Sequence, residues 1–106
     1  MANPFAGEVA LVLDGQRHLA KLTLGALAEM EAGLPEGGLL QLVERFETGR
    51  FSSRDVLALI VAGLRGGGWQ GQASDLLQVE IGGGLVEAAR VAATLLARAF
   101  ALPGER

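Results

Sequence analysis

The chain has 106 residues, half of them apolar, with 12 acidic against 9 basic side chains for a net charge of −3, one histidine and no cysteine. That balance excludes a general drive toward nucleic acid or anionic membrane, which needs clustered Lys and Arg. The missing cysteines exclude a disulfide framework and a thiolate zinc site. A single domain spanning 1–106 is expected, and by size it buries about two thirds of its unfolded surface. With four Phe, one Trp and no Tyr, its core must be built from Leu, Val and Ala, which suits helices. Met1 to Gly7 has no basic n-region and no long apolar run follows it, so no signal peptide is read and a cytoplasmic location is expected.

Residues 8–23 predict a β-hairpin. Val9 to Leu13 is a short apolar run, Asp14-Gly15 follows, and Gln16 to Thr23 is a mixed run with Leu19 and Leu22. An Asp-Gly pair between two such runs favours a two-residue turn. The register then sets Leu13 opposite Gln16, Leu11 opposite His18, Ala10 opposite Leu19 and Glu8 opposite Lys21. A lone hairpin is marginal in water, so one face must lie on the helices that follow.

Residues 24–102 form the helical part. Thr23 can N-cap a helix carrying Leu24, Leu27, Met30 and Leu34, which Gly33 and Pro35 end. Glu36-Gly37-Gly38 is a connector. Leu39 to Thr48 is amphipathic, with Leu39, Leu42, Val43 and Phe46 opposite Gln41, Glu44, Arg45 and Glu47, and Gly49 closes it. Ser52 and Asp55 make a capping-box pair, flanked by Phe51 and Val56 as a hydrophobic staple, so a helix starts at Ser53. Its Val56, Leu57, Leu59, Ile60, Val61 and Leu64 leave little polar surface, which makes it the buried partner of the last helix. Gly66-Gly67-Gly68 stops it. Trp69 to Ala73 reads as loop, Ser74 and Asp75 open a short helix to about Ile81, and Gly82-Gly83-Gly84 either breaks that helix from the final one or allows a bend. The fold class is α+β, mostly α: an N-terminal β-hairpin packed on a bundle of four to five helices.

The final segment, Leu85 to Leu102, holds Glu87, Arg90, Thr94 and Arg98 in one narrow stripe. Apolar residues cover the rest of its circumference, far more than the stripe a little over 100° wide of an ordinary surface helix. It is either the central helix of the fold or a helix offering spare apolar surface to another protein, and sequence alone leaves both open. A membrane span is rejected, because three charges would each cost ~2.5–3.5 kcal/mol at the bilayer centre.

No chemistry-bearing constellation stands out. His18 sits alone in a strand, without the partners of a triad. Glu29 and Glu31 point to different helix faces, and Glu44 and Glu47 lie on a solvated one. One histidine without cysteine or an Asp-rich loop makes no metal site. The two glycine triplets could wrap phosphate, but no strand and no Lys-Ser or Lys-Thr surrounds Gly82 to Gly84. No catalytic, cofactor or metal residue is expected. The expected partner-binding residues are Trp69, which could anchor a partner from a glycine loop or pack back on the core, and Val86, Ala89, Val91, Ala93, Leu96 and Phe100 on the last helix. Spare apolar surface also suggests self-association.

The order of these elements carries a resemblance. Gly7-Glu8-Val9 with the Asp14-Gly15 turn, the run Leu22-Thr23-Leu24-Gly25-Ala26-Leu27-Ala28-Glu29-Met30-Glu31, the helix start Arg50-Phe51-Ser52-Ser53-Arg54-Asp55, and Gly83-Gly84-Leu85 with Leu95-Leu96-Ala97-Arg98-Ala99-Phe100 together are similar to a small gene-transfer-agent family. That family is related to phage tail assembly chaperones, is also labelled a tail tube protein, and is encoded in phage-like tail clusters of alphaproteobacteria. The resemblance implies a non-enzymatic role in tail assembly. The protein would either hold the tape-measure protein soluble or form part of the tail. Composition favours the chaperone, since a tube subunit needs a β-rich body and this chain offers one hairpin, whereas a holdase needs apolar surface that accepts a helix. Trp69 and the adaptable Met30 would add contacts. A small regulatory or ligand-binding α-domain using the glycine loops is the remaining reading.

Overall fold

The structure, a computed structural model, describes residues 7–34 and 38–100. Strands β1 (Val9–Leu13) and β2 (Gln16–Ala20) form the hairpin, followed by α1 (Leu24–Ala32), α2 (Gly38–Glu47), α3 (Ser53–Gly66), a 3-10 turn (Ala73–Leu76) and α4 (Gly84–Ala99). The α+β, mostly α class is thus the one expected, with four α-helices among the described residues. The end of the predicted last helix, residues 101 and 102, lies outside them.

Asp14 and Gly15 both take positive φ, 49° and 79°, as a type I′ turn requires. The ladder pairs Leu13 with Gln16, Leu11 with His18 and Ala10 with Leu19, and runs to Val9 and Ala20. Alternation along β1 sends Val9, Leu11 and Leu13 into the core and leaves Val12 outside, the period-two pattern of a half-buried strand.

The helix signals are realised atom by atom. Thr23 Oγ1 accepts the Ala26 amide at 3.0 Å. Ser52 Oγ accepts the Asp55 amide at 3.1 Å, and Asp55 Oδ2 accepts the Ser52 amide at 3.0 Å. Gly49, at φ 75°, closes α2 with the Arg50 amide donating to the Arg45 carbonyl at 2.8 Å, a Schellman ending.

The glycines at the end of α3 stop the helix as expected, and they do so with fixed geometry. The Trp69 amide donates to the Leu64 carbonyl at 2.9 Å and the Gly68 amide to Arg65 at 3.0 Å, with Gly68 at φ 105°, so this is a second Schellman closure. Gly66 and Gly67 lie against β2. A Cβ would come within 1.9 Å of the Lys21 carbonyl oxygen at Gly66 and 2.1 Å of that of Leu19 at Gly67. The Lys21 amide donates to the Gly63 carbonyl at 2.8 Å, which ties helix and hairpin together. Glycine here permits backbone contact rather than mobility.

The segment after the 3-10 turn also departs from expectation. The helix predicted to reach Ile81 stops at Leu76, and Ile81 makes an antiparallel bridge with Leu13. The Asp14 amide donates to the Glu80 carbonyl at 2.8 Å and the Gly82 amide to the Val12 carbonyl at 2.9 Å. Asp14 Oδ1 accepts the Glu80 amide at 2.9 Å. The hairpin turn captures this segment through an isolated β-bridge, a long-range pairing that overrides local helix signals.

Helix α3 packs on α1, α4 and β2, and α4 packs on α3 and β1. The core consists of Val9, Leu11 and Leu13 from β1, Ala20 and Leu22, Ala26, Leu42, a row on α3 including Leu59, Ile60 and Leu64, Leu76, and Ala88, Val91, Ala92, Leu95 and Leu96 on α4. It is Leu, Val, Ile and Ala throughout, and each fully buried large side chain contributes about 1.5–3 kcal/mol over exposure.

Candidate functional site

Helix α4 turns out to have three faces. Ala88, Val91, Ala92, Leu95 and Leu96 fill the core; Val91 is 0% exposed. The Glu87–Arg90 pair at 2.6 Å and Arg98, which donates to the Glu8 carbonyl, mark the polar side. Between these faces runs an outer apolar strip of Val86, Ala93, Ala97 and Phe100, with half-buried Ala89 at its margin. The helix is therefore covered on one side and leaves apolar surface exposed on another.

Two of the expected binding residues must be corrected accordingly. Val91 and Leu96 are core residues that no partner can reach without unfolding the monomer, because they fall on the helix side facing α3 and the hairpin. Val86, Ala93 and Phe100 are exposed. Trp69 is half-buried and packs on the core, with its ring over Gly71, where an added Cβ would lie 2.1 Å from Cζ2. Met30 is half-buried too.

The N-terminal halves of α3 and α4 lie side by side and leave an open cleft of about 540 Å³. Its apolar lining comes from Phe51, Val56, Leu57 and Ile60 on one side and Leu76, Leu77, Ile81, Leu85, Ala88 and Ala89 on the other. Ser52, Ser53 and Arg54 complete the rim, and Arg54 is the single charge among the lining residues. Leu77 and Leu85 stand in its wall with 71% and 81% of their surface exposed. Sequence reasoning found Ala89 but missed these two leucines. The available signal was a Leu-Leu pair at 76 and 77 outside any long amphipathic helix, where one side chain anchors and its neighbour must face outward.

The mouth of the cleft is tied to α2. The Asp55 capping carboxylate also takes a two-point ion pair from Arg45 on α2, and the rings of Phe46 and Phe51 stack at 4.5 Å between centroids. The hydrogen bond from Arg45 holds the Asp55 carboxyl below its ordinary pKa, aided by the Ser52 amide and opposed by burial. Arg90 lowers Glu87 in the same way.

The glycine triplet before α4 is engaged within the chain. The Gly82 amide goes to Val12 and the Gly84 amide to Ile81, at 2.9 and 2.8 Å, which removes two of the donors a phosphate would need. Among the described residues, no three His, Cys, Asp or Glu side chains cluster as metal ligands, and no helix is long and apolar enough to cross a membrane.

An α-rich domain with an open apolar cleft is thereby defined, one whose distinctive surface suits side chains rather than small polar ligands. The chain belongs to the family described as phage tail tube protein, GTA-gp10, which matches residues 6–102, and so is related to the tails of gene transfer agents and phages. The family's description names a tail tube protein, a structural component of the tail. No curated protein and no solved structure matches the chain significantly.

Proposed function

We propose that this protein is a tail assembly chaperone that acts in the cytoplasm and holds apolar helical segments of the tape-measure protein until the tail assembles. The observation carrying this reading is the α3–α4 cleft, with Leu77 and Leu85 exposed in its wall. A helix laid into such a groove gains about 25 cal/mol for each Å² of apolar area taken from water. Leu, Val and Ala contacts carry little directional information, so many registers of a long client are accepted. Ala89 joins the cleft to the outer strip of Val86, Ala93 and Phe100 on α4, which extends the surface along the helix. Co-expression with the tape-measure protein tests this: its soluble fraction should rise with the wild-type chain and not with a Leu77→Ser/Leu85→Ser variant. No rise with the wild type would count against the proposal.

The family's own description favours a second reading, a structural part of the tail tube. It predicts the protein in purified particles at fixed stoichiometry, whereas a chaperone is absent from them. The fold weighs toward the chaperone, since a tube subunit needs a β-rich body and the described residues hold one hairpin, whose β1 is already paired to β2 and bridged to Ile81.

A further inference from the structure

We infer that the outer face of α4 is a homotypic interface, on which a second copy of the chain packs its own α4 in the antiparallel direction. Val86 stands at one end of this face, 84% exposed, and Phe100 at the other, 51% exposed, with exposed Ala93 and Ala97 between them. At 3.6 residues per turn these four side chains fall within a sector of about 60°. With Leu85 beside Val86, α4 carries three exposed large apolar residues, whereas among the described residues α1 carries Leu24, α2 carries Leu40 and α3 carries none.

The order of residues along the face identifies its partner. It runs large, small, small, large in either direction, so a reversed copy sets Val86 against Phe100 at both ends. The polar margin behaves in the same way. Glu87 lies in the first turn and Arg98 in the last, and a two-fold axis normal to both helices keeps these margins side by side. Antiparallel packing therefore brings Glu87 of each copy to Arg98 of the other, whereas parallel packing sets Glu87 on Glu87 and Arg98 on Arg98. Arg90 is balanced by Glu87 of its own helix at 2.6 Å. Arg98 donates to the Glu8 carbonyl through Nη1, one of five N–H donors on a guanidinium, which leaves donors for a second carboxylate.

The single leucines elsewhere do not repeat this pattern. Leu24 shares α1 with exposed Glu29 and Glu31, and Leu40 shares α2 with exposed Glu44 and Glu47, so either face packed on itself sets carboxylates together. Laid on α4 of another copy, either helix would bury one exposed leucine in a head-to-tail contact that leaves both surfaces open on the outermost copies. The α3–α4 cleft lies on the opposite margin of α4 from Glu87 and Arg98, lined by Leu85, Ala88 and Ala89. Pairing closes the outer strip and leaves the cleft open, so the client surface is offered in full by the separated chain. The inference goes beyond the client seat and does not depend on it.

Sedimentation equilibrium of the whole chain from about 10 µM to 1 mM tests the pairing. The wild type should reach a dimer with a dissociation constant on the order of 100 µM, as suits an interface below about 1,200 Å². Ala93→Glu sets two carboxylates near the two-fold axis and should leave a monomer at every concentration, with the melting curve in dilute solution unchanged. Glu87→Arg should weaken the dimer about 4-fold or more through the loss of two exposed ion pairs. Adding Arg98→Glu in the same chain should recover most of that loss, as only the antiparallel order allows. A wild type that stays monomeric, a dimer that survives Ala93→Glu, or further weakening in the double charge variant would overturn the inference. Dissociation by Leu24→Ser, by Leu40→Ser or by Leu77→Ser/Leu85→Ser would move the contact to α1, α2 or the cleft and overturn it equally, as would a mass that climbs past the dimer. Each of these outcomes is distinct from the co-expression result with the tape-measure protein, which reads the cleft alone.

Discussion

Arg45 Nε and Nη2 each donate to a carboxylate oxygen of Asp55 at 2.8 Å, joining α2 to the first turn of α3 while the same carboxylate caps that helix through the Ser52 amide. Asp55 is 12% exposed and Arg45 31%, so the pair is partly screened from water. Its folded-state pKa lies below the ordinary 3.8, so between the two values the unfolded chain binds the extra proton. The stabilisation is complete above the unfolded pKa and is lost as pH falls through the folded one. Melting temperature should therefore be level down to about pH 5 and fall below it. Asp55→Asn should lower it at neutral pH and reduce that acid slope. Glu87 has the same sign, so part of the slope should survive in the variant. Thermal melts from neutral to acid pH read both effects.

Glycine substitutions separate close approach from ordinary flexibility. Gly66→Ala would drive a methyl to 1.9 Å from the Lys21 carbonyl, against backbone just past β2 that is tied to the Gly63 carbonyl, and should cost about 1–3 kcal/mol or more. Gly25→Ala in α1 meets nothing nearer than 4.0 Å and should stabilise by about 0.4–1 kcal/mol through helix propensity and a less flexible unfolded chain. Chemical denaturation of the two variants should move the midpoint in opposite directions.

Local signals explain why so much of this fold could be read from residues. The Asp14-Gly15 turn, the Thr23 cap and the Ser52–Asp55 box each act within a few residues, and each forms as its spacing requires. What failed was nonlocal. Nothing near Ile81 announces that Leu13 will bridge it, and nothing near Gly66 announces the strand lying on it. The face of α4 suffered similarly: composition gave the width of its apolar surface, but which third of it the core would take depended on where α3 and β1 settle. Val91 and Leu96 were therefore misplaced, and the cleft, made by two segments some thirty positions apart in sequence, was visible only through Ala89.

The two apolar sides of α4 should answer differently to mutation. Leu96 is 4% exposed, and Leu96→Ala should cost about 2–5 kcal/mol through lost burial and the cavity left behind. Val86 is 84% exposed, and Val86→Ser should change stability by less than about 0.5 kcal/mol. Equal destabilisation by the two in urea titrations would contradict the packing of this helix.

The cleft leucines invert that pattern, because their apolar area faces water in the monomer and has value only when something covers it. Leu77→Ser and Leu85→Ser together should leave the melting temperature within about 2–3 °C of wild type, the shift expected for less than about 0.5 kcal/mol in a domain of this size. They should also reduce binding of an apolar dye such as ANS. The same variant should lose the capacity to keep the tape-measure protein soluble on co-expression. Stability retained with solubilisation lost would assign the surface to a client. If stability falls instead, these side chains belong to the core of the monomer, and the exposure of Leu77 and Leu85, on which the functional reading depends, would not be that of the molecule in solution.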